Sequence, residues 1–225
     1  MPAAITHLFR YPVKSMGGHL LEKSTLTARG IPGDRAWTLK DEKRGGIKGG
    51  KRFPQLLDMS ARFMNEPTEQ VVSPQVQITL NDGRSISSSD PQVNETLSAE
   101  VDAPVSLWPL LPADQLEHYQ RPPMDDGVDP EAYFREVFAR AADEPLPDLS
   151  VFPEELFIYE SSPGTYFDAF PILLMSQASL RHFEQIMLEQ GSESQFDVRR
   201  FRPNILVETE ESGFPENNWV GRRGQ

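Results

Sequence analysis

AITHLFRYPVKS, residues 4–15, sets Ile5, His7, Phe9 and Tyr11 on one side of a period-2 pattern. That alternation is the signature of a half-buried β-strand, and Pro12, which lacks an N–H, limits pairing beyond it. Working outward, HLLEKSTLTARG turns at Gly30-Ile31-Pro32-Gly33 into DRAWTLKD, a short strand carrying Trp37 and Leu39. FPQLLDMSARF and VQITLNDGRSISSSD read as further strands, the second a hairpin with Asn81-Asp82-Gly83 at its tip. VDAPVSLWPLL closes the region. Short strands between turn signals at this spacing argue for a barrel or sandwich.

Composition sets outer bounds. The chain has 225 residues, 38% of them hydrophobic and 25% charged, with twenty prolines, which suits a soluble globular protein rich in loops. No run of apolar residues is long enough to span a bilayer, and no secretory leader opens the chain, so a cytoplasmic protein without membrane association is expected. Cysteine is absent, which removes disulfides, thiolate metal sites and a cysteine nucleophile. The net charge of −12 is unevenly spread. Residues 1–62 hold twelve Lys and Arg against five Asp and Glu, a net of +7, and the rest of the chain carries −19. A basic part that faces an anion, joined to a part that repels nucleic acid, fits this split.

Residues 112–155 change character, with twelve acidic residues and one helix. Asp129 is its N-cap and Pro130 its first position; Tyr133/Phe134, Val137/Phe138 and Ala141 form the apolar stripe, and Glu144-Pro145 stops it. Further on, Ser176 caps a helix whose Leu180, Phe183 and Met187 recur on one face, with Gly191 at its end. RRFRPNILVE then reads as a strand, at an edge or bulged because Pro203 lies inside it. Its alternation puts Arg200, Arg202 and Asn204 on one face.

Three chemistries can be tested by motif. Gly45 to Lys51 spells G-x-x-x-x-G-K, but Arg52 replaces the magnesium-binding Ser or Thr and Pro54 forbids the helix, so a P-loop is rejected. His7, His19, His118 and His182 show no metal-binding spacing, and no G-x-S-x-G elbow occurs. Two basic clusters remain: Lys14, Arg35 and the loop 43–52, and Arg199-Arg200-Phe201-Arg202-Pro203-Asn204. Guanidinium forks bind phosphate, and an Asn amide can read a heterocycle edge. RNA is the competing anion, yet the aromatic-rich RNA-binding pattern is missing and most of the chain is acidic, so no nucleic-acid partner is expected.

YPVKS at 11–15, GDRAW at 33–37 and the stretch around Phe53-Pro54 resemble the N-terminal β-barrel region of MOSC proteins, named after the C-terminal domain of molybdenum cofactor sulfurase. PGTYFDAFPILLMSQASL and RFRPNILV resemble the MOSC domain itself. The chain is thereby similar to bacterial relatives of the mitochondrial amidoxime-reducing component. The resemblance implies a mainly β (α+β) fold: an N-terminal β-barrel-like region over 1–111, an acidic helical connection over 112–155 and a MOSC β-barrel over 156–225, truncated relative to the family. It implies a molybdenum cofactor (molybdopterin) whose terminal phosphate lies between the two regions. Lys14, Ser15, Arg35, Ser176, Ser179, Arg202 and Asn204 match its contacts, and Asp168 matches an orienting aspartate. Lys51 and Arg52 are expected to edge the cofactor mouth. The implied reaction is oxidoreductase chemistry, the reduction of N-oxygenated small molecules with electrons from a partner protein, or sulfur and cofactor carriage. Pyridoxal phosphate is not expected. The family supplies a molybdenum-ligating cysteine, and this sequence has none. The alternative is therefore a catalytically degenerate cofactor-binding or interaction module, and no catalytic or metal-ligating residue is assigned.

Overall fold

A computed structural model describes residues 3–123, 127–138, 140–148, 150, 155–192 and 196–221. Ten strands form three open sheets, none of which closes on itself among these residues. The first sheet contains β1 (Ala4–Arg10), β2 (His19–Leu21), β9 (Leu174–Ser176) and β10 (Ile205–Glu208), in the order β2-β1-β10-β9. β1 runs antiparallel to β10, and β10 runs parallel to β9, so the two ends of the chain share one sheet. The second sheet is β4 (Ile47–Lys48), β3 (Trp37–Asp41) and β8 (Val105–Pro109) in the order β4-β3-β8. β5 (Ser60–Phe63), β6 (Val76–Thr79) and β7 (Ser85–Ser87) make the third as a meander. The expected hairpin tip is present: Gly83 takes φ +86°, and its N–H donates to the Leu80 carbonyl at 3.0 Å.

The opening strand shows the anticipated one-sided row. His7 stacks on Phe9 at 5.9 Å and Phe9 on Tyr11 at 6.3 Å. Only the second half of the row is buried; Ile5 and His7 lie in solvent, beside a bulge in the pairing with β10. Beyond Pro12 the chain leaves the sheet and runs beside the second one. The Lys14 N–H donates to the Trp37 carbonyl at 2.8 Å, and the Gly17 N–H donates to the Met59 carbonyl at 2.8 Å. Residues 11–17 thus tie all three sheets together.

The largest core lies between the second and third sheets, where Leu39, Leu56, Met59, Val76 and Ile78 are fully buried. A helix closes it: α1 (Val93–Val101) buries Val93, Leu97 and Val101, an i, i+4, i+8 stripe worth about 1.5–3 kcal/mol per side chain. The strand-only reading of the first third overlooked this helix. It also extended FPQLL as a strand, whereas Pro54–Leu57 forms a 3-10 turn, because Pro54 sits where an N–H is not needed.

The later helices are α2 (Leu116–Tyr119), α3 (Pro130–Val137), α4 (Glu155–Ile158) and α5 (Gln177–Glu189). α3 begins as expected, with the Asp129 carboxylate accepting from the Glu131 N–H at 3.1 Å, but ends at Val137 rather than reaching Glu144. α5 matches in cap and length, with Ser176 accepting from the Ser179 N–H at 3.0 Å and Gly191 at φ +79° beyond its end. The RRFRPN reading is corrected on two counts. Val198–Arg200 is a 3-10 turn and the strand starts only at Ile205, so alternation does not place Arg200, Arg202 and Asn204. β10 is also an interior strand; Pro203 lies just outside it and withholds no ladder bond. No helix among the described residues is long and apolar enough to cross a membrane.

Candidate functional site

Four non-glycine residues among those described have φ in the left-handed region: Ser15 at +68°, Arg35 at +48°, Asp102 at +51° and Arg202 at +56°. The conformation costs an ordinary residue about 1–2 kcal/mol. Asp102 ends α1, where such a residue is common. The other three, Ser15, Arg35 and Arg202, meet at one place. Arg202 also precedes a proline, which favours extended backbone at the preceding residue. Strain concentrated this way marks positions where side-chain placement outranks stability.

Tyr11 is the centre of the meeting. The Arg35 and Arg202 guanidinium carbons each lie 4.7 Å from its ring centroid, within cation–π range. Its hydroxyl donates to the Pro203 carbonyl at 3.1 Å, and its N–H donates to a buried Asp34 carboxylate oxygen at 2.8 Å. Burial, partly offset by Arg202 and Arg35, pushes the phenol up to about 12, so it stays neutral. Arg35 also donates to the other Asp34 oxygen, to Asn204 Oδ1 at 3.2 Å and to the Arg202 carbonyl at 3.3 Å. Arg202 donates to the Met16 carbonyl at 2.7 Å. Its guanidinium is lowered to about 10, first by burial and then by the neighbouring Arg35. The repulsion between the two guanidinium groups is offset in part by Asp34 and Asp168, and a further anion between them would offset more of it.

Lys14 supplies the third cation. The residue is 6% exposed, and its ammonium donates to the Tyr166 carbonyl at 2.9 Å and to Asp168 Oδ1 at 2.6 Å. Burial holds it below the usual lysine range, with Asp168 opposing. The Asp168 side chain is 95% accessible to water. Desolvation by the surrounding chain would raise its carboxyl, but Lys14, Arg35 and Arg202 outweigh that and hold it below the ordinary range. Asp168 is thus a carboxylate open to water inside the field of three cations, and we call the place where they converge the cleft.

The Gly-rich loop reaches the same cleft, though not through its charges. Gly45 and Gly46, both at φ +75°, turn the β3–β4 hairpin. Gly50 N–H donates to Ser15 Oγ at 2.7 Å, and a Cβ on Gly49 would lie 2.5 Å from that oxygen and 3.5 Å from Lys14 Cε. Lys51 and Arg52, expected at the mouth, turn elsewhere: Lys51 lies 5.2 Å from the Phe138 ring and Arg52 reaches Asp41 at 3.4 Å. Lys48 pairs with Glu160 at 2.6 Å. The loop contributes close backbone approach.

Five of the seven sequence-derived residues therefore meet: Lys14, Ser15, Arg35, Arg202 and Asn204. Asn204 is fully buried, and its amide is spent on the frame: Oδ1 accepts from Arg35 and from the Leu173 N–H at 3.1 Å, and Nδ2 donates to the Phe9 carbonyl at 3.4 Å. Ser176 and Ser179 are engaged elsewhere. The Ser176 N–H donates to Glu216 Oε1 at 2.5 Å, and the Ser179 hydroxyl donates to Glu216 Oε2. Ser176 pairs with Val207 across the sheet, three residues along the chain from Asn204, or roughly 10 Å at a strand's rise. Asp34, Tyr11 and Gly49 were not singled out from sequence, although GDRAW and YPVKS contain the first two. A cavity of about 520 Å³ lies against the same wall, with Arg29, Asp34, Arg35, Leu110, Tyr166 and Phe167 in its lining.

Residues 2–105 match the family described as the MOSC N-terminal beta barrel domain. The N-terminal part of the chain thus belongs to the MOSC family. None of the curated proteins compared with it matches. In this MOSC chain, Lys14, Ser15 and Arg35 come from the matched domain, and Arg202, Asn204 and Asp168 lie outside it. Among the described residues no cluster of three or more His, Asp or Glu could hold a metal ion.

Proposed function

We propose that this MOSC protein binds the molybdenum cofactor by its pterin phosphate, in the cleft of Lys14, Arg35 and Arg202, and acts as a cofactor-binding or carrier module. The carrying observation is the convergence of three cations in which both arginines take left-handed backbone. A phosphate offers enough acceptor oxygens for all three, and it would relieve the Arg35–Arg202 repulsion. The Gly49–Ser15 contact leaves no room for a Cβ, which keeps backbone N–H groups close to the cleft. When bound, the cofactor would supply a two-electron redox metal.

The fit differs at the two ends of the cofactor. Its phosphate end suits these residues; its metal end would require a protein thiolate, and the sequence contains no cysteine. Reduction of an N-oxygenated small molecule, fed by an electron-transfer protein, is the reaction that the family resemblance suggests. No redox step is assigned to these residues, and the binding reading is preferred on that ground. The test is cofactor retention. Chain purified from a host that makes the cofactor is oxidised, and its fluorescent pterin product is quantified per chain for the unmodified protein and for Arg35→Ala. A substantial pterin content that falls in the variant supports the reading. Equal content in both, or none in the unmodified chain, overturns it.

A further inference from the structure

We propose that Asp168 is a built-in counter-anion that occupies Lys14 in the free cleft and is exchanged for an incoming phosphate. The inference rests on the phosphate-binding reading and adds a residue that opposes binding. The geometry is asymmetric. Lys14 is buried with two partners, the Tyr166 carbonyl at 2.9 Å and Asp168 at 2.6 Å, and only the first belongs to the backbone frame. The Asp168 side chain is 95% accessible, and the hydrogen bond and ion pair it makes among the described residues both go to Lys14. It can therefore leave at little cost in packing, whereas Lys14 cannot.

The charges around the pair set the direction of the exchange. Arg35 and Arg202 act on Asp168 from nearby, and Asp34 is already committed to Arg35 and to the Tyr11 N–H. In the free protein Asp168 is thus the mobile negative charge that compensates three cations. A phosphate brings two negative charges and several acceptors to the same positions. If Asp168 stayed on Lys14, it would compete for the ammonium and repel the ligand. Swinging away from Lys14 removes both penalties. The site is then tuned to release as well as capture, which suits a protein that passes its ligand on.

The experiment is calorimetric titration of the purified chain with inorganic pyrophosphate at about pH 6, which favours the protonated form of the burial-lowered lysine. Asp168→Asn is expected to bind about two- to fivefold more tightly than the unmodified chain, the scale of one partly exposed ion pair. In a Lys14→Met background the same Asp168→Asn change should give a clearly smaller gain, because the competition is for that ammonium. Thermal unfolding checks that both variants fold. If the unmodified chain binds pyrophosphate and folded Asp168→Asn binds no better, the exchange is wrong while the phosphate reading stands. If neither chain binds and both are folded, the phosphate reading and the exchange fail together.

Discussion

Replacing Arg202 separates two quantities that this site couples, backbone strain and anion binding. Arg202→Ala removes the guanidinium and leaves a residue with a Cβ at φ +56°; Arg202→Gly removes the guanidinium and the Cβ penalty together. The penalty is about 1–2 kcal/mol, and glycine returns about 0.4–1 kcal/mol of it through the entropy of the unfolded chain. The difference leaves Arg202→Gly more stable than Arg202→Ala by roughly 0.5–1 kcal/mol. For a chain of this size that is a separation of about 1–4 °C in melting temperature. Both variants lose the same bond to the Met16 carbonyl and the same contact with Tyr11, so those terms cancel in the comparison. Binding should not distinguish them. Each loses a charge-assisted contact worth about 1.5–3 kcal/mol, or roughly ten- to a hundredfold in affinity for pyrophosphate. Differential scanning fluorimetry and calorimetric titration on the pair provide the readouts. An Arg202→Gly protein no more stable than Arg202→Ala would refute the strain argument, and unmodified affinity in either would refute the anion role.

Other expectations follow from the same geometry. Gly18→Ala places a Cβ 2.0 Å from the Arg10 carbonyl oxygen and 2.8 Å from Tyr11 Cδ1, so backbone must move; a loss of more than about 3 kcal/mol is expected in urea unfolding, and a near-neutral result would mean that β1 and β2 pair differently. Gly49→Ala forces Ser15 Oγ away and costs the Gly50 hydrogen bond, about 1 kcal/mol, with weaker pyrophosphate binding; unchanged affinity would remove the loop from the site. Acid should destabilise the fold in a defined window. Asp197, lowered to about 2 by Arg199, and Glu216, lowered because the Ser179 and Ser176 hydrogen bonds outweigh its desolvation, both have folded values below their unfolded ones. Their stabilisation is complete above the unfolded values of about 4 and is lost as pH falls through the folded ones. Chemical denaturation at pH steps below about 5 should show the decline, and Glu216→Gln should flatten part of it.

How much of this was legible in the sequence depends on what each residue depended on. Strands whose faces differ, such as β6 with Val76 and Ile78 buried, announce themselves by period-2 alternation. Both long caps, Asp129 and Ser176, were readable because a short side-chain oxygen before a helical pattern has few other uses. α1 carried its signal in Val93, Leu97 and Val101, but Pro91 and the turn-rich approach masked it. The RRFRPN stretch was misread for a different reason. Asp197 accepts from the Arg199 N–H and starts a 3-10 turn, and Arg202 then adopts a left-handed φ that nothing in an arginine foretells. The identities of the cleft residues came from family resemblance. Their convergence could not, because it depends on β1 pairing with a strand some 200 residues later. For the same reason Ser176 and Ser179, adjacent to the site in the motif order, turn out to bind Glu216.

The cleft is proposed to recognise the phosphate of a pterin cofactor. The most direct measurement is fluorescence titration of the purified chain with the oxidised pterin derivative of the cofactor, phosphorylated and enzymatically dephosphorylated. Three cations on one phosphate predict at least about tenfold tighter binding of the phosphorylated form, with the preference lost in Arg202→Ala. Equal affinity for the two forms, or a preference that survives Arg202→Ala, would contradict the account.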